Sequence, residues 1–367
     1  MSINWGIKPR NFVKKIKSHR PQFISGVPFM KKILVLGTGG TIASVKTEEG
    51  FKSSLDINEI LRHAGIKLHN GYEIHTKNIL NIDSTLIQPE DWEIIAKEVY
   101  SGLRDYDGIV ISHGTDTLAY TSSMLSFMVQ NPTKPVVITG AMKPITEPGS
   151  DAVKNLRDSL LFAMEAKIGG IFVVFNGKVM NGCRVSKINS VDVDAFKSIN
   201  YPDIAYIDEG GQIKYNANIF DSYSRPRGSL KLDTQYDPRV FVLKLIPGLD
   251  SRVIDGLLDM GYKGLILESY GTGGIPYRKR NLLEKIKSIS REIPVVVTTQ
   301  ALYGGVDLSR YEVGMKALEA GVISAKDMTK EATVTKLMWA LGHTEDVDEI
   351  KQIMHTNYAD EIKNISQ

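Results

Sequence analysis

The sequence predicts a two-domain α/β protein: a large, mostly parallel sheet that ends in a C-terminal hairpin, followed by a smaller α/β domain. Short apolar runs typical of buried strands alternate with amphipathic stretches of helical length, as in parallel sheets covered by helices on both faces. The length of 367 residues fits two domains of about 150 residues each. With 42% hydrophobic and 24% charged residues, the composition excludes disorder and fibrous repeats.

The first half contains the clearest alternation. A helix is expected from Pro89, because proline suits a first helical position, and it places Trp92, Ile95 and Val99 at helical spacing. A second helix carries the apolar residues Leu118, Leu125 and Met128 on one face, and a third, over 150–166, opens with Ser150 and Asp151 as candidate N-caps. Buried strands are predicted at 32–37, 108–112, 135–139 and 171–175.

The second half is predicted to form its own unit. Asn176-Gly177 favours a hairpin, since both residue types tolerate positive φ. Residues 205–238 lack periodicity and are interpreted as a linker. Further strands are predicted at 240–246, 264–268 and 294–299, with helices near Val253 and over 328–341. The predicted organisation is a tail at 1–30, a catalytic domain at 31–204, the linker, and a C-terminal domain at 239–367.

Charge and cysteine content narrow the function classes. Residues 1–29 hold six basic residues and no acid, so the rest of the chain carries a net charge of −3, which does not suggest a nucleic-acid binder. This basic segment is predicted to be disordered, or to precede a true start at Met30. It has no apolar stretch long enough for a membrane span. The lone Cys183 can form neither an intrachain disulfide nor a thiolate metal site.

Ligands of open parallel sheets bind beyond the carboxyl ends of the strands. After the first strand comes a glycine-rich loop with the hydroxyls of Thr38 and Thr41. Its glycine spacing fits neither a dinucleotide fingerprint nor a phosphate-binding P-loop, which excludes a nucleotide-dependent oxidoreductase. The loop is instead a place where backbone can approach a small ligand closely.

A second loop, after the strand at 108–112, sets the hydroxyl of Thr115 beside the carboxylate of Asp116. Asp116 either caps the following helix or grips a ligand ammonium while Thr115 acts chemically. A threonine hydroxyl needs a base to become a nucleophile. His113 is poorly placed for that role, and a desolvated lysine is an alternative base that spacing alone does not identify.

These two loops carry a family resemblance. Segments 38–43 (TGGTIA) and 113–117 (HGTDT) resemble the two motifs of the bacterial-type L-asparaginase family, most closely the cytoplasmic type I and archaeal enzymes. The resemblance extends from about residue 31 to near the C-terminus. Further matching segments lie at 83–85 (DST), 140–144 (GAMKP), 186–187 (SK), 194–196 (DAF) and 331–337 (EATVTKL).

The resemblance implies hydrolysis of L-asparagine to L-aspartate and ammonia in the cytoplasm, without metal or organic cofactor, nucleic acid or membrane. By position, Thr41 corresponds to the nucleophile, and Thr115 and Lys187 correspond to the second threonine and the lysine base. Asp116 corresponds to the aspartate that grips the substrate, and Ser84 holds the substrate α-carboxylate with Thr85 beside it. The resemblance also implies a homodimer or a dimer of dimers, in which a neighbouring subunit completes each site.

Two positions depart from the family pattern. Where the mobile loop after the nucleophile carries a tyrosine, this chain has Phe51, which can close over a substrate but cannot relay a proton. The neighbouring Glu49-Gly50 is interpreted as the hinge of a lid. Either another hydroxyl replaces that of the tyrosine, with Ser53, Ser54 and Tyr311 as candidates, or turnover is impaired, or water takes over the role. Where type II enzymes have an asparagine in the small domain, this chain has Gly274.

Two other functions remain as alternatives. The asparaginase-like component of archaeal glutamyl-tRNA(Gln) amidotransferase resembles the same family and cleaves a side-chain amide, but it carries an additional N-terminal domain, whereas 30 residues precede Lys31 here. A catalytically silent amino-acid sensor is favoured by Phe51 alone and is opposed by the presence of Thr41, Thr115 and Lys187. The sequence favours an asparagine amidohydrolase that acts through a threonine acyl-enzyme.

Overall fold

A computed structural model describes residues 30–48, 50–66, 72–223 and 228–363. Residues 1–29 of the predicted tail lie outside the described residues. The strands, in chain order, are β1 Lys31–Gly39, β2 Ser44–Thr47, β3 Gly50–Ser53, β4 Tyr72–Ile82, β5 Gly108–Ser112, β6 Val129–Gln130, β7 Pro135–Thr139, β8 Gly170–Phe175, β9 Lys178–Asn181, β10 Val185–Lys187, β11 Phe196–Ser198, β12 Ala205–Ile207, β13 Ile213–Tyr215, β14 Lys231–Leu232, β15 Val240–Lys244, β16 Gly264–Ser269, β17 Val295–Thr299 and β18 Ile323–Ser324. The helices are α1 Ile57–His63, α2 Pro89–Asp105, α3 Leu118–Met128, α4 Ala152–Glu165, α5 Ala217–Tyr223, α6 Arg252–Asp259, α7 Leu282–Ile289, α8 Glu312–Glu319, α9 Lys330–Leu341 and α10 Val347–His355.

The large sheet has eight strands in the order β13-β12-β9-β8-β7-β5-β1-β4. Within this sheet the strands β4, β1, β5, β7 and β8 run parallel to one another. The sheet then continues through β9, β12 and β13, each antiparallel to the strand before it. Because the chain goes outward from β1 to β4 and then returns to the other side of β1 as β5, the strand order reverses between β1 and β5. Such a reversal opens a crevice at the carboxyl ends of the two strands.

Strand β1 shows why the sheet is covered on both faces. Successive side chains of a strand point to opposite faces, so Leu34 and Leu36 pack into one apolar core and Ile33 and Val35 into a second core on the other side. Helices α2 and α3 contribute to the first core, and α1 and α4 contribute to the second. The prediction of a mostly parallel α/β sheet is confirmed.

The predicted helices form, with two differences. Helix α2 begins at Pro89 as expected, with Trp92 buried. Helix α3 is buried on nearly every side instead of on one face, because it packs against both β8 and α9. Asp151 occupies the N-cap position of α4 without capping it. Its carboxylate instead accepts hydrogen bonds from the backbone N–H groups of Met142 and Lys143, at 3.0 Å.

The predicted hairpin at Asn176-Gly177 joins β8 to β9, and both residues have positive φ, 48° and 74°. The prediction of an irregular linker is wrong for the first part of 205–238. There β12 and β13 extend the large sheet, and α5 follows, with Ile207 and Ile219 buried in the second core. Strands of three residues are too short to show an alternating pattern in the sequence.

The C-terminal part contains a four-stranded parallel sheet in the order β15-β16-β17-β18, with its own apolar core. The strand predicted at 240–246 ends at Lys244, and the helix predicted at 328–341 is α9, which Thr329 caps by accepting the N–H of Ala332. Asp194, one of the motif residues, binds Lys178 and Lys197 beside the β10–β11 pair, and these contacts lower the pKa of its carboxyl to about 2 against the effect of burial.

A fully buried ion pair fixes the end of the chain to α9. The Lys336 ammonium lies 2.6 Å from Oε1 of Glu361 and donates to the backbone oxygens of Met354 and Thr356. Burial lowers the pKa of Lys336. The Glu361 carboxylate in turn accepts the N–H groups of Tyr358 and Ala359. Both charges are therefore satisfied internally, as a buried pair requires.

We expect Glu361→Leu to lower the free energy of unfolding by about 3–5 kcal/mol, because it leaves the buried Lys336 charge without its partner. The double variant Lys336→Met/Glu361→Leu should recover most of that loss. Denaturant unfolding measures the free energy of unfolding of both variants. The control is Glu93→Gln, which removes an exposed ion pair with Lys97 and should lower the free energy of unfolding by under about 1 kcal/mol. Equal losses for Glu361→Leu and Glu93→Gln would contradict the assignment.

Candidate active site

The glycine-rich loop after β1 turns sharply into the crevice. Gly39 and Gly40 have φ values of 102° and 83°, which side chains rarely adopt. The N–H of Gly40 donates to the backbone oxygen of Ile82 at 2.9 Å. This turn places Thr41 at the start of a short 3₁₀ segment, Thr41–Ala43, where its side chain is half-buried.

The backbone of the glycine-rich loop contacts the backbone of the loop that follows β5. A Cβ added to Gly40 would lie 2.2 Å from the Cα of Gly114, and one added to Gly114 would lie 2.6 Å from the Oγ of Ser84. Three separate loops therefore meet at two residues without side chains. Since Thr41 follows Gly40 and Thr115 follows Gly114, the two predicted catalytic threonines are brought to the same crevice.

Lysine 187 reaches this crevice from β10. Its Nζ donates to Oγ1 of Thr115 at 2.9 Å and to Oδ1 of Asp116 at 2.6 Å. The lysine side chain is 18% exposed, whereas that of Asp116 is 54% exposed. Lys187 is therefore no surface lysine. The Asp116 carboxylate binds this amine, and the α3 N-cap has no side-chain cap, so the capping hypothesis for Asp116 is wrong.

Ser84 and Thr85 lie in the loop after β4. Ser84 is buried, and its Oγ accepts the N–H of Asp116 at 3.2 Å while its backbone oxygen accepts the hydroxyl of Thr117 at 2.7 Å. Thr85 is exposed and is held by Asp83, which accepts both its N–H and its hydroxyl. The structure thus ties the serine to the second loop and leaves Thr85 at the rim.

Thr38 differs from Thr41, although the sequence pairs them. Its side chain is 1% exposed, and its hydroxyl donates to the backbone oxygen of Ser112 at 2.9 Å. Thr38 therefore links β1 to β5. The hydroxyl of Thr41 donates no hydrogen bond to any of the described residues, which leaves it available to a ligand.

The predicted lid is an antiparallel hairpin of β2 and β3. Glu49 and the Phe51 side chain lie outside the described residues. Of the candidate replacement hydroxyls, that of Ser53 lies next to the glycine-rich loop, since a Cβ on Gly39 would lie 2.8 Å from its Oγ. The Ser53 hydroxyl donates to Oδ1 of Asn81 at 2.8 Å.

The other two candidates face different surroundings. Ser54 is exposed, and Tyr311 is exposed in the small domain, where Arg310 stacks on its ring. Gly274 also belongs to the small domain, in a turn after β16 where it pairs with Tyr270. Tyr311 and Gly274 are positioned by the second sheet, whereas Ser54 is held at the glycine-rich loop, where its N–H donates to the backbone oxygen of Ala43 at 3.0 Å.

A carboxylate next to the lysine strand could not be recognised from local sequence. Glu331, at the start of α9, accepts the hydroxyl of Ser186 at 2.8 Å, and burial raises its pKa. Burial, Glu331 and Glu268 together raise the pKa of Tyr120 to about 12. The sequence marks Glu331 only as part of a motif, and its partner Ser186 is 145 positions away, so no local pattern joins them. This contact fixes the residue next to Lys187.

Fold and site define an α/β protein with a threonine-, aspartate- and lysine-containing crevice at the switch point of its large sheet. Residues 32–220 match the family profile for the N-terminal asparaginase domain, and residues 239–354 match that for the glutaminase/asparaginase C-terminal domain. The chain belongs to the asparaginase family, which confirms the resemblance found in the loop motifs.

Individual relatives agree. The chain is 57% identical over 334 residues to an L-asparaginase of Thermococcus kodakarensis, covering 90% of this chain and 99% of the relative. A solved structure of the thermostable L-asparaginase from that organism superposes with a TM-score of 0.85 at 57% identity, covering 91% of this chain and 99% of that one.

More distant relatives include the D-type component of the glutamyl-tRNA(Gln) amidotransferase of Pyrococcus abyssi, 36% identical over 95% of this chain and 80% of the relative. A solved structure of a probable cytoplasmic L-asparaginase from Campylobacter jejuni has a TM-score of 0.75 at 28% identity, covering 89% of this chain and all of that one. The alternative assignment to an amidotransferase component is thus supported by a lower sequence identity, 36%, than the 57% found for the L-asparaginase.

We expect Gly114→Ala to lower the free energy of unfolding by about 1–3 kcal/mol, because the added methyl group would collide with Ser84 and Gly40. Gly114 has no positive φ, so the cost is steric. The matched control is Gly256→Ala in α6, where a Cβ meets open space and should stabilise the helix by about 0.5–1 kcal/mol. Denaturant unfolding of both variants is the measurement; a neutral Gly114→Ala would show that the loops are not in contact.

Proposed function

We propose that this chain hydrolyses the side-chain amide of L-asparagine to give L-aspartate and ammonia, through an acyl intermediate on Thr41. The observation that carries the proposal is the contact of Gly40 with Gly114, the residues that precede Thr41 and Thr115, together with the hydrogen bond from Lys187 to Thr115. The 57% identity to an L-asparaginase along nearly the whole chain supports the substrate. The proposed mechanism uses hydroxyl, carboxylate and amine groups that the crevice contains.

The substrate is held by its two charged ends. The exposed Asp116 carboxylate binds the α-ammonium group of asparagine, and the loop of Ser84 binds the α-carboxylate. Fixing both ends places the side-chain amide against Thr41, and orientation of this kind can supply several kcal/mol of rate enhancement.

The reaction proceeds in two halves. The Thr41 oxygen attacks the amide carbon, its proton passes to the leaving nitrogen, and ammonia departs as an ester forms on Thr41. A water then attacks the ester carbon, donates its proton back to the Thr41 oxygen, and releases aspartate. Backbone N–H groups of the two loops stabilise the oxyanion that develops in each half.

Lys187 activates the hydroxyl of Thr115. Its Nζ can accept a proton only as the neutral amine, and in this structure it is paired with Asp116. A substrate ammonium that binds Asp116 competes for that carboxylate and so weakens its ion pair with Lys187. Binding of asparagine therefore shifts Lys187 from Asp116 toward Thr115, its other hydrogen-bond partner, so that these two groups are poised together only when the substrate is in place.

We also propose that the chain works as a homodimer or dimer of dimers in the cytoplasm. Apolar side chains lie exposed near the crevice, Leu86 at 61% and Val191 at 81%, and others lie exposed on the small domain at Tyr311 and Met315. Exposed apolar groups of this kind favour a protein partner, and a second copy would cover both sets. In the described ranges no helix is sufficiently long and apolar to traverse a lipid bilayer.

We expect Thr41→Ala and Lys187→Met each to reduce ammonia release from L-asparagine by at least about a hundredfold, because one removes the nucleophile and the other the amine that binds Thr115. Thermal unfolding should remain close to that of the wild type. Ammonia is measured in a coupled assay with L-asparagine and L-glutamine in parallel. The control is Lys197→Met, which removes another partly buried lysine of the same strand pair. Wild-type rates in Thr41→Ala would overturn the assignment.

We further propose that the Ser53 hydroxyl, which lies next to Gly39, takes the role of the loop tyrosine. On this proposal Ser53→Ala should lower kcat by several-fold to about tenfold. Ser54→Ala is the matched control, since the neighbouring hydroxyl is exposed. Steady-state kinetics give kcat for each variant. Equal values for the two would mean that Ser53 takes no part in proton transfer.

A further inference from the structure

His113 occupies the position between β5 and the second loop and is fully buried. Its Nδ1 lies 2.6 Å from the backbone oxygen of Gly114, and its Nε2 lies 3.0 Å from the hydroxyl of Thr121 on α3. That hydroxyl accepts the indole N–H of Trp92, on α2, at 3.0 Å. The ring therefore joins two helices to the glycine that contacts Gly40.

The partners and the neutral state of the ring together fix the directions of these hydrogen bonds. The Gly114 oxygen can only accept, so Nδ1 carries the proton, and the Trp92 indole can only donate. Thr121 therefore accepts from Trp92, and because the ring is neutral it donates to Nε2. The ring is neutral, in agreement with its burial, which lowers the pKa of His113 to about 4. His113 does not contact the Thr115 hydroxyl and so does not serve as its base.

The carbonyl held by His113 belongs to the same peptide unit as the N–H of Thr115. A peptide unit is planar, so fixing the direction of its C=O also fixes the opposite direction of its N–H. Among the described residues that N–H has no acceptor. The N–H of the next residue, Asp116, is bonded to Ser84, so the Thr115 N–H is a free donor on this loop beside the Lys187–Thr115 pair.

We propose that His113 is a positioning residue that orients the Gly114–Thr115 peptide, so that the Thr115 N–H donates to the oxyanion formed during amide hydrolysis. This inference rests on the proposed function and adds a role to it. A donor fixed before the reaction stabilises the charge that develops in the transition state more than it stabilises the bound substrate. Loss of the His113 contact should therefore lower kcat and leave KM nearly unchanged.

Two substitutions of His113 test its two hydrogen bonds separately, the one to Gly114 and the one to Thr121. In His113→Asn the side-chain NH₂ lies near the former Nδ1 and can still donate to the Gly114 oxygen, but nothing accepts from Thr121. In His113→Gln the side-chain oxygen can accept from Thr121, but the donor to Gly114 is lost. Both variants bury an imperfectly paired amide, so a purely structural role would affect them alike.

The experiment measures kcat and KM for ammonia release from L-asparagine, with the folded fraction determined by thermal unfolding. The proposal predicts that His113→Gln lowers kcat by about tenfold or more at nearly constant KM, whereas His113→Asn recovers most of that loss. Equal kcat values per folded molecule for the two variants, or a loss confined to KM, would overturn it.

A second pair keeps the test decisive if the histidine variants do not fold. Thr121→Val removes the hydroxyl that fixes the ring and should lower kcat, whereas Thr121→Ser keeps that hydroxyl and should restore it. Wild-type kcat in Thr121→Val would overturn the proposal. The wild-type enzyme is assayed in parallel. If it releases no ammonia from L-asparagine, the proposed function fails, whereas an active wild type with unaffected variants refutes only the role of His113.

Discussion

The contact between Gly40 and Gly114 is the constraint on which the site depends. Two loops that are about seventy positions apart in sequence can touch there only because neither residue has a side chain. The strand order makes the contact possible, since β1 and β5 are neighbours at the point where the sheet reverses its order. Topology brings the loops to one edge, and the two glycines allow the final approach that places Thr41 and Thr115 in one crevice.

The polar side chains of the site lie on the two loops that meet at this contact and on β10. Lys187, Thr115 and Asp116 form a connected polar group held from behind by β10, and Ser186 anchors the same strand to Glu331. Thr41 follows Gly40 on the neighbouring glycine-rich loop. Under the proposed function, an amide bound between the two loops meets the Thr41 nucleophile on one loop and proton-transferring groups on the other, as a two-step acyl transfer requires.

Much of this could be predicted from the sequence. Apolar runs such as 108–112 and 135–139 give the strands to the residue, because buried parallel strands are short and uninterrupted. The motif residues Thr115, Asp116 and Lys187 were identified through their resemblance to a family, and they lie together. Contacts between distant segments could not be predicted: the buried Lys336–Glu361 pair, the Ser186–Glu331 bond and the use of His113 toward Gly114 depend on tertiary packing. The short strands β12 and β13 were missed because three residues carry too little pattern.

The central claim is that both threonine loops contribute to one binding site, and a crystal structure with L-aspartate bound tests it most directly. The account predicts that the side-chain carboxylate of the ligand lies between the hydroxyls of Thr41 and Thr115, with its α-ammonium group on Asp116. A ligand that contacts only one of the two loops, or that binds away from Lys187, would contradict the account.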